Sequence, residues 1–540
     1  MKTVIKPMLL TFFLMISMIS CNNEDTFIEP YGENDTEGVG SVEDDENNTE
    51  DSNNTDDRTE IFIDSGSSTT VQSAIDDLSG DGIITVTGWV TIDLNITIPS
   101  GILLRVNNGG GFNIKSGSTL TLQGPVNAGL YKIFDSTVNF VNGSVSEVKS
   151  EWFGTDDIAV NFALLSAVTI PVKITNNITV SSVILMSDNQ TLRMYDATIF
   201  PVSPVTGGAV IKNREASNSN ISIEGGYING ESLTDVAYDA ILFENVDNAL
   251  IKDLTCYKVH IRSSHDTGNI TLNHCTYSTV QNFKSYDTWK AGIYIRYGHH
   301  NQILDSEMKG CHDSGIALVN SHDSIIDGNY VDNCGTSNAS NIASGAERII
   351  VTNNISVNSL GDVNGNGITM GHAGFPSTDA TCSNNIIVNN TAKGIFLQAG
   401  NNMIVKNNIV INNGIDNNGT NSGGIANYSK SNLIEGNYVI GNRLGISLHN
   451  GSFNMVIKNN SILSSIIYGI RNDGVNTTVQ NNSLGNTTNI FNNPEKNSIA
   501  NLTFSNNNEM PPVFPVDYSF ISDLNLTDFQ NEILRKLLKF

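Results

Sequence analysis

Between residues 292 and 482 short β-branched apolar runs alternate with Gly, Asn, Asp and Ser in a pattern that keeps returning. Gly-Ile pairs fall at Gly292, Gly315, Gly367, Gly394, Gly424, Gly445 and Gly469, with Asn341-Ile342 in the one gap, at spacings of 23, 26, 26, 27, 30, 21 and 24 residues. An Asn follows a later apolar run in each unit, at Asn329, Asn354, Asn385, Asn408, Asn437, Asn460 and Asn482, with Glu307 at that place in the first. This period is too short for a domain per unit and fits one turn of a solenoid. Runs such as Gly-Ile-Tyr-Ile, Ser-Ile-Ile-Asp and Met-Ile-Val-Lys leave no room for a helix, so the pattern predicts two or three short strands per turn. Stacked roughly 4.8 Å apart, they give a parallel β-helix with aliphatic ladders in its bore. The Asn column reads as structural, a bend former that tolerates left-handed angles and hydrogen-bonds to its copies above and below.

Outside the repeats the pattern changes. Val71 to Leu78 is apolar at Val71, Ala74, Ile75 and Leu78, which predicts a short amphipathic helix capping the open end of the solenoid. Less regular β sequence follows over 61–155, with strands expected at Ile83–Val86, Ile102–Val106 and Leu120–Leu122. A second short helix is expected from Asp156 to Ala167, and the β-helix repeats fill 156–490. A C-terminal extension over 491–540 ends in a helix opened by Thr527 with Gln530 in capping-box position. Its face of Phe529, Ile533, Leu534, Leu537 and Leu538 is expected to pack on the solenoid.

Gly124-Pro125, Gly129-Leu130-Tyr131 and Glu151-Trp152-Phe153-Gly154 resemble a segment that recurs in pectate-lyase-like β-helix proteins. Asn189-Gln190-Thr191-Leu192 and Asp196-Ala197-Thr198-Ile199 are similar to first rungs of that superfamily, and Ser222 to Gly230 to its Gly-Gly-x-Ile-x-Gly turn. The resemblance to the pectin/pectate lyase-like superfamily covers roughly residues 60 to 490 and implies an all-β, right-handed parallel β-helix solenoid with short capping helices. It specifies fold strongly and activity weakly.

The N-terminus carries an address. Lys2 and Lys6 precede an apolar stretch, Met8 to Ile19, and Met18-Ile19-Ser20-Cys21 has the form of a cleavage site. Residues 1–20 resemble a bacterial lipoprotein signal peptide, which implies that Cys21 becomes lipidated and anchors the chain to the outer membrane of the cell envelope, surface-exposed. An ordinary secretory signal with a coincidental Cys is the alternative. Residues 21–60 form an acidic, disordered tether: from 22 to 60 there are fifteen Asp or Glu and one Arg, too polar to fold. The tether holds about half of the formal charge of −26, and no basic patch suggests nucleic acid. Five further cysteines, Cys256, Cys275, Cys311, Cys334 and Cys382, match no zinc spacing. Cys311 and Cys334, one period apart, are expected to stack, as are Cys256 and Cys275, in small buried ladder positions.

Seven of the nine His residues fall between 260 and 322: His260, His265, His274, His299, His300, His312 and His322. Arg262, Asp266, Lys284, Tyr286, Asp287, Trp289, Lys290, Tyr294, Arg296, Tyr297, Lys309, Asp313 and Asp323 share the window. A solenoid needs no titratable groups to stand, so the concentration predicts a ligand groove. Counting from the Gly anchors pairs Lys290 with Asp313, Trp289 with His312, and His299 or His300 with His322 on adjacent rungs. Tyr294 and Arg296 share a face, and an Arg in a dry bore would be very costly, so that face points outward. The candidate catalytic residues are Lys290, Arg296, His312, His299, Asp313 and His322, with Lys290, Arg296 and His312 expected to converge. Trp289, Tyr294, Tyr297 and Lys309 are the candidate substrate-binding residues. Each turn histidine has an equally plain role as a bend former.

Elimination on a uronate requires neutralising the carboxylate, removing the α-proton and protonating the leaving oxygen, tasks for Arg or a cation and for Lys, His or Tyr. The expected function is therefore action on an acidic polysaccharide by β-elimination or the related epimerisation. Cys311-His312-Asp313-Ser314-Gly315-Ile316 is loosely similar to mannuronan epimerase repeats, but their Tyr-Gly-Phe-Asp-Pro-His motif is missing. The alternatives are a non-catalytic carbohydrate-binding or scaffold protein and a glycoside hydrolase, which would need paired carboxylates. Asp287, Asp313 and Asp323 are candidates, without the motif set of the polygalacturonases. No metal ligand set is assigned; the cofactor is undetermined, with calcium the candidate but no dedicated ligand loop in the sequence.

Overall fold

Each turn of this chain must satisfy its backbone through its neighbours, and the computed structural model shows how. It describes residues 58–233, 239–259, 267–336, 339–361, 364–372, 374–415, 422–493, 502–511, 518, 521, 524 and 526–538. Residues 1–20 expected as a signal peptide, Cys21, most of the expected tether, and His260, Arg262, His265 and Asp266 lie outside the described residues. Residues 58–540 form one unit. Among the described residues no helix is long and apolar enough to cross a membrane.

All paired strands run parallel, three to a turn. Taking the turn at Gly292 as the pattern, Ala291–Arg296 lies in sheet 1, Gln302–Leu304 in sheet 2 and Glu307–Lys309 in sheet 3. Sheet 2 stacks 15 strands from Val148–Lys149 to Leu502–Ser505. Sheets 1 and 3 are joined into 25 strands through the long strand Thr198–Asn213, which pairs onward into both. Residues 60–140 coil in the same way, with Glu60–Ile63, Gly82–Val86, Ile102–Val106 and Val126–Ala128 in one parallel stack. One apolar core runs from Ile63 to Leu484 down the bore.

Among the described residues three α-helices close the surface where strands would expose apolar groups. α1, Ser68–Asp77, buries Val71, Ala74 and Ile75 against the first turns. α2, Asp157–Ser166, is capped by Asp156, whose Oδ1 accepts the Ala159 amide at 2.9 Å. α3, Asp528–Leu538, begins with the expected capping box: the Thr527 amide donates to Gln530 Oε1 (3.0 Å) and the Gln530 amide to Thr527 Oγ1 (3.2 Å). Leu534, fully buried, packs with Ile533, Leu537 and Leu538 on Ile355, Val357, Ile386, Val388, Ile409 and Ile411. The outer faces of those sheet 3 strands are apolar because this helix covers them.

The Asn column differs from expectation in one physical detail. The residues with left-handed backbone are the exposed ones just before it, such as Asn353, Asn384, Asn407, Asn459 and Asn481 at φ 55–57°. The buried Asn points inward at the bend between sheets 2 and 3. Asn408 Oδ1 accepts both the amide and the Nδ2 of Asn385 at 2.9 Å, while Asn408 Nδ2 donates to Asn437 Oδ1 at 2.9 Å and to the Cys382 carbonyl at 3.0 Å. One residue makes the turn and the next fills it. In the first turn the ladder position is Ser306, whose amide donates to Asn329 Oδ1 at 3.0 Å, rather than Glu307. A second ladder, through Asn390, Asn413 and Asn442, stands at the exit of sheet 3.

The Gly-Ile pairs also acquire a reason. The anchors Gly315 and Gly394 do not have left-handed backbone; a Cβ on Gly315 would lie 2.3 Å from Val331 Cγ1, and one on Gly394 2.6 Å from Val410 Cγ1. Glycine stands where sheet 1 turns against the bore-facing side chains of sheet 3. The five cysteines from Cys256 to Cys382 are buried free thiols. Cys311 stacks on Cys334, its amide 3.4 Å from the Cys334 sulfur. Cys256 pairs in register with Ser285 instead of with Cys275, because it belongs to sheet 3 whereas Cys275 follows a sheet 1 strand.

Replacing Asn408 with Ala should cost about 2–4 kcal/mol, because it leaves the Asn385 amide groups without their buried acceptor. Replacing the adjacent Asn407 with Gly, which suits its φ of 56°, should change stability by less than about 0.5 kcal/mol. Denaturant unfolding of the two variants checks this contrast between ladder and turn.

Candidate functional site

Register brings side chains from successive turns into rows on the outer face of sheet 1. Ile293 and Ile295 point into the core, and Tyr294 and Arg296 point outward, as the polarity of Arg requires. From Tyr294 the row passes through Ala317, Ala343 and Thr369 to Phe396. From Arg296 it passes through Val319 to Gly345. Small residues therefore follow large ones, and a cleft of about 490 Å³ opens over them. Tyr294, Arg296, Tyr297, Phe375 and His372 stand around it, with Asp313 on the opposite side and Gln398 at the far end.

The floor is polar and linked. Ser340 Oγ and Thr369 Oγ1 are 2.6 Å apart, and Asn366 Nδ2 donates to Thr369 Oγ1 at 3.0 Å and to Ser340 Oγ at 3.3 Å. Asn366 is 2% exposed and its Oδ1, closed to solvent, has no hydrogen-bond partner. Arg296 Nε donates to Asn273 Oδ1 at 3.2 Å, and among the described residues no carboxylate comes within ion-pair distance of its guanidinium. Asp313 Oδ1 accepts the Ser314 amide at 2.9 Å.

The expected site residues divide. Arg296, Asp313, Tyr294 and Tyr297 line the cleft. Trp289 stacks on His312 with ring centroids 3.9 Å apart, and Lys290 follows it, at the opposite end of the strand from Arg296. A six-residue strand spans roughly 20 Å, so Lys290 and His312 do not converge with Arg296. Neither lines the cleft. His299 and His322 do pair across adjacent turns, but on the corner between sheets 1 and 2, where His299 also meets His300, their Nδ1 atoms 2.9 Å apart. Lys309 lies on sheet 3, paired with Glu307 and 5.2 Å from the Tyr330 ring, away from the cleft. Its strand belongs to sheet 3, whose outer face is a different side of the rod.

Two residues of the cleft, His372 and Asn366, were not marked in the sequence, nor were two buried ionisable groups outside it, Asp239 and Lys393. His372 stood outside the His cluster and reaches the cleft from the loop after Ile368–Met370. Asn366 looked like another ladder amide. Asp239 and Lys393 are buried ionisable groups on sheet 1. Asp239 accepts from Thr271 Oγ1 at 3.2 Å, and burial pushes its carboxyl up to about 8, offset in part by that hydrogen bond, the Gly268 amide and Arg296. Burial lowers the Lys393 ammonium to about 8. Only the appearance of an acidic or basic residue in a slot that the other turns fill with uncharged residues could have exposed them. Among the described residues no group of three or more His, Cys, Asp or Glu is placed to hold a metal.

Residues 268–422 match the family described as "Right handed beta helix region". The fold is a right-handed parallel β-helix. No curated protein matches the chain. The β-helix is similar to the A-module of a mannuronan C-5 epimerase from Azotobacter vinelandii, at 13% identity over 68% of this chain and 100% of that one, TM-score 0.44. It is similar to the Dettilon tailspike protein at 17% identity over 68% and 70%, TM-score 0.42. A putative glycosyl hydrolase from Parabacteroides merdae matches at 15% identity over 35% and 94%, TM-score 0.29. Similarities this distant say nothing about chemistry.

The raised Asp239 value has a consequence for stability. A carboxyl whose folded value is raised from 3.8 to about 8 contributes stability that is complete below the unfolded value and lost as pH rises through the folded one. Asp239→Asn should therefore melt at a temperature that falls less than wild type between about pH 5 and pH 9. Differential scanning of the two proteins across that range checks it; parallel curves would show that Asp239 ionises freely.

Proposed function

We propose that the sheet 1 cleft binds an acidic, uronate-bearing polysaccharide and acts on it at the carbon next to the carboxylate, by β-elimination or epimerisation. The observation that carries this reading is the meeting of Arg296, His372 and Asp313 with three aromatic rings over an amide and hydroxyl floor. Arg296 has donors free of any carboxylate to neutralise a uronate, which stabilises the charge that develops when the α-proton leaves. His372 supplies the group for proton transfer. Tyr294, Tyr297 and Phe375 offer faces for sugar rings, and Ser340, Asn366, Thr369 and Gln398 offer partners for hydroxyls. Inverting or retaining hydrolysis would need two facing carboxylates; among the described residues Asp313 alone lines the cleft as a carboxylate. A second reading, binding without turnover, is favoured by the separation of Lys290 and His312 from Arg296 across the strand. In either case the lipoprotein-like N-terminus suits a protein tethered through Cys21 to the cell envelope, where such polymers are met.

Incubation of the protein with alginate, pectate and chondroitin, followed by ultraviolet absorbance of the new double bond and by analysis of sugar configuration, tests the reading. Arg296→Ala should weaken binding of the active uronide by about 10–100-fold. His372→Ala should leave binding intact and lower turnover by about 10²–10⁴. Binding that depends on Arg296 with no product from any uronide would establish the second reading. Wild-type behaviour in both variants would remove the cleft from consideration.

A further inference from the structure

The row of sheet 1 that supplies Arg296 carries a chain of polar contacts back from the cleft. Glu244, Asn273 and Arg296 pair in register on successive turns, so their side chains stand on one outer face with roughly 4.8 Å between turns. Arg296 Nε donates to Asn273 Oδ1 at 3.2 Å, Asn273 Nδ2 donates to Glu244 Oε1 at 3.4 Å, and Lys212 Nζ meets Glu244 Oε2 at 2.8 Å. The order along the rod is cation, carboxylate, amide, cation, and the amide is its one neutral member. Its two neighbours fix which way it faces, because a guanidinium offers only donors and a carboxylate only acceptors.

That order decides what Arg296 can do. A carboxylate in the Asn273 slot would pair with the guanidinium and satisfy the charge that an anionic ligand needs. With Asn273 there, the acid of the row lies two turns from Arg296, roughly 10 Å along the axis, and is answered by Lys212. The hydrogen bond from Lys212 holds the Glu244 carboxyl below its ordinary range, with the Lys212 charge, Asn273 and Arg296 adding to the effect. Asp239, whose field also reaches Arg296, is pushed towards its neutral form by burial. The guanidinium is thus oriented without being neutralised. Asn273 engages its Nε, and the Tyr297 ring lies 6.0 Å from its central carbon. Among the described residues nothing hydrogen-bonds to its two terminal amino groups, the edge that can take a carboxylate through two parallel contacts.

Resting on the reading of the cleft as a uronate site, we propose that Asn273 is the positioning residue of Arg296: it fixes the guanidinium through Nε and keeps Glu244 from pairing with it, so that the terminal amino groups stay charged and open to a uronate carboxylate. Arg296 lines the cleft and Asn273 does not, so Asn273 acts through Arg296 alone. Two consequences separate this role from plain packing. A carboxylate at position 273, nearly identical in volume and shape to the amide, cancels what Arg296 contributes to binding. Once Arg296 is gone, the same substitution has nothing left to act on.

The test is calorimetric titration of the full-length protein with hexamers of galacturonate, mannuronate, guluronate and chondroitin, comparing wild type, Asn273→Asp, Arg296→Ala and the double variant. Asn273→Asp should weaken the hexamer that wild type binds by about tenfold or more, the effect of losing one charge-assisted contact. In the Arg296→Ala background the same substitution should change affinity by less than about twofold. If repulsion from Glu244 keeps Asn273→Asp from folding, Asn273→Leu removes the acceptor at similar size and should weaken binding by about threefold or more, again only where Arg296 is present. Wild-type affinity in the position 273 variant, or an equal loss with and without Arg296, overturns the positioning role while Arg296→Ala still marks the cleft as the uronate site. If Arg296→Ala binds as tightly as wild type, or no hexamer binds at all, the cleft reading itself falls and the role of Asn273 with it.

Discussion

The buried amide ladder is the constraint on which the rest of this molecule depends. Asn354, Asn385, Asn408, Asn437 and Asn460 are each at most 1% exposed, and each couples its amide to the copy in the next turn. A buried amide without partners costs a few kcal/mol, so every turn must place its Asn over the previous one. A slip of one residue would orphan a whole column and turn every strand inside out. Loops of unequal length between anchors are absorbed at the other corners, which is how spacings from 21 to 30 residues coexist with one strict register.

Strict register converts a one-dimensional sequence into rows on a surface. Inside the bore the rows are aliphatic, and at the corner beside sheet 3 they are glycine because the facing Val and Ile leave no space for a Cβ. Outside, the rows are free to vary, and on sheet 1 they vary in a way that packing does not demand. Tyr294 is followed by Ala317, Ala343, Thr369 and then Phe396, and Arg296 by Val319 and Gly345. A trough bounded by rings and by Arg296 results. The net charge of −26 works against long-range attraction of an anionic polymer, so recognition in such a trough must come from short-range contacts in a partly dry site.

Two ionisable side chains show that this outer face is partly dry. Asp239 and Lys393 have opposite charges and the same problem, and burial moves each toward its neutral form. They stand six turns apart along sheet 1, roughly 29 Å, too far to compensate each other. Their cost is borne by a long cooperative core, which a repeat architecture distributes over many turns. Residues kept against such a cost on an otherwise repetitive surface are more informative than exposed histidines, which at corners satisfy the local bend.

The sequence by itself determined the coil. Period, apolar runs, glycine anchors and the Asn column are local and recur many times, so stacking, the capping helix at Val71, the packing of the C-terminal helix and the outward face of Tyr294 and Arg296 could all be read from spacing. It also paired Trp289 with His312 and His299 with His322, because neighbours one turn apart differ by a nearly constant number of residues. What spacing cannot express is which side of the rod a corner belongs to. Lys290, Arg296 and His312 are close in number yet occupy opposite ends of a strand, Lys309 faces away, and Cys256 and Cys275 sit on different sheets. Tertiary structure decided those, and it alone revealed His372, Asn366, Asp239 and Lys393. Their character comes from burial and from missing partners, properties of the surroundings that no residue carries in its own name.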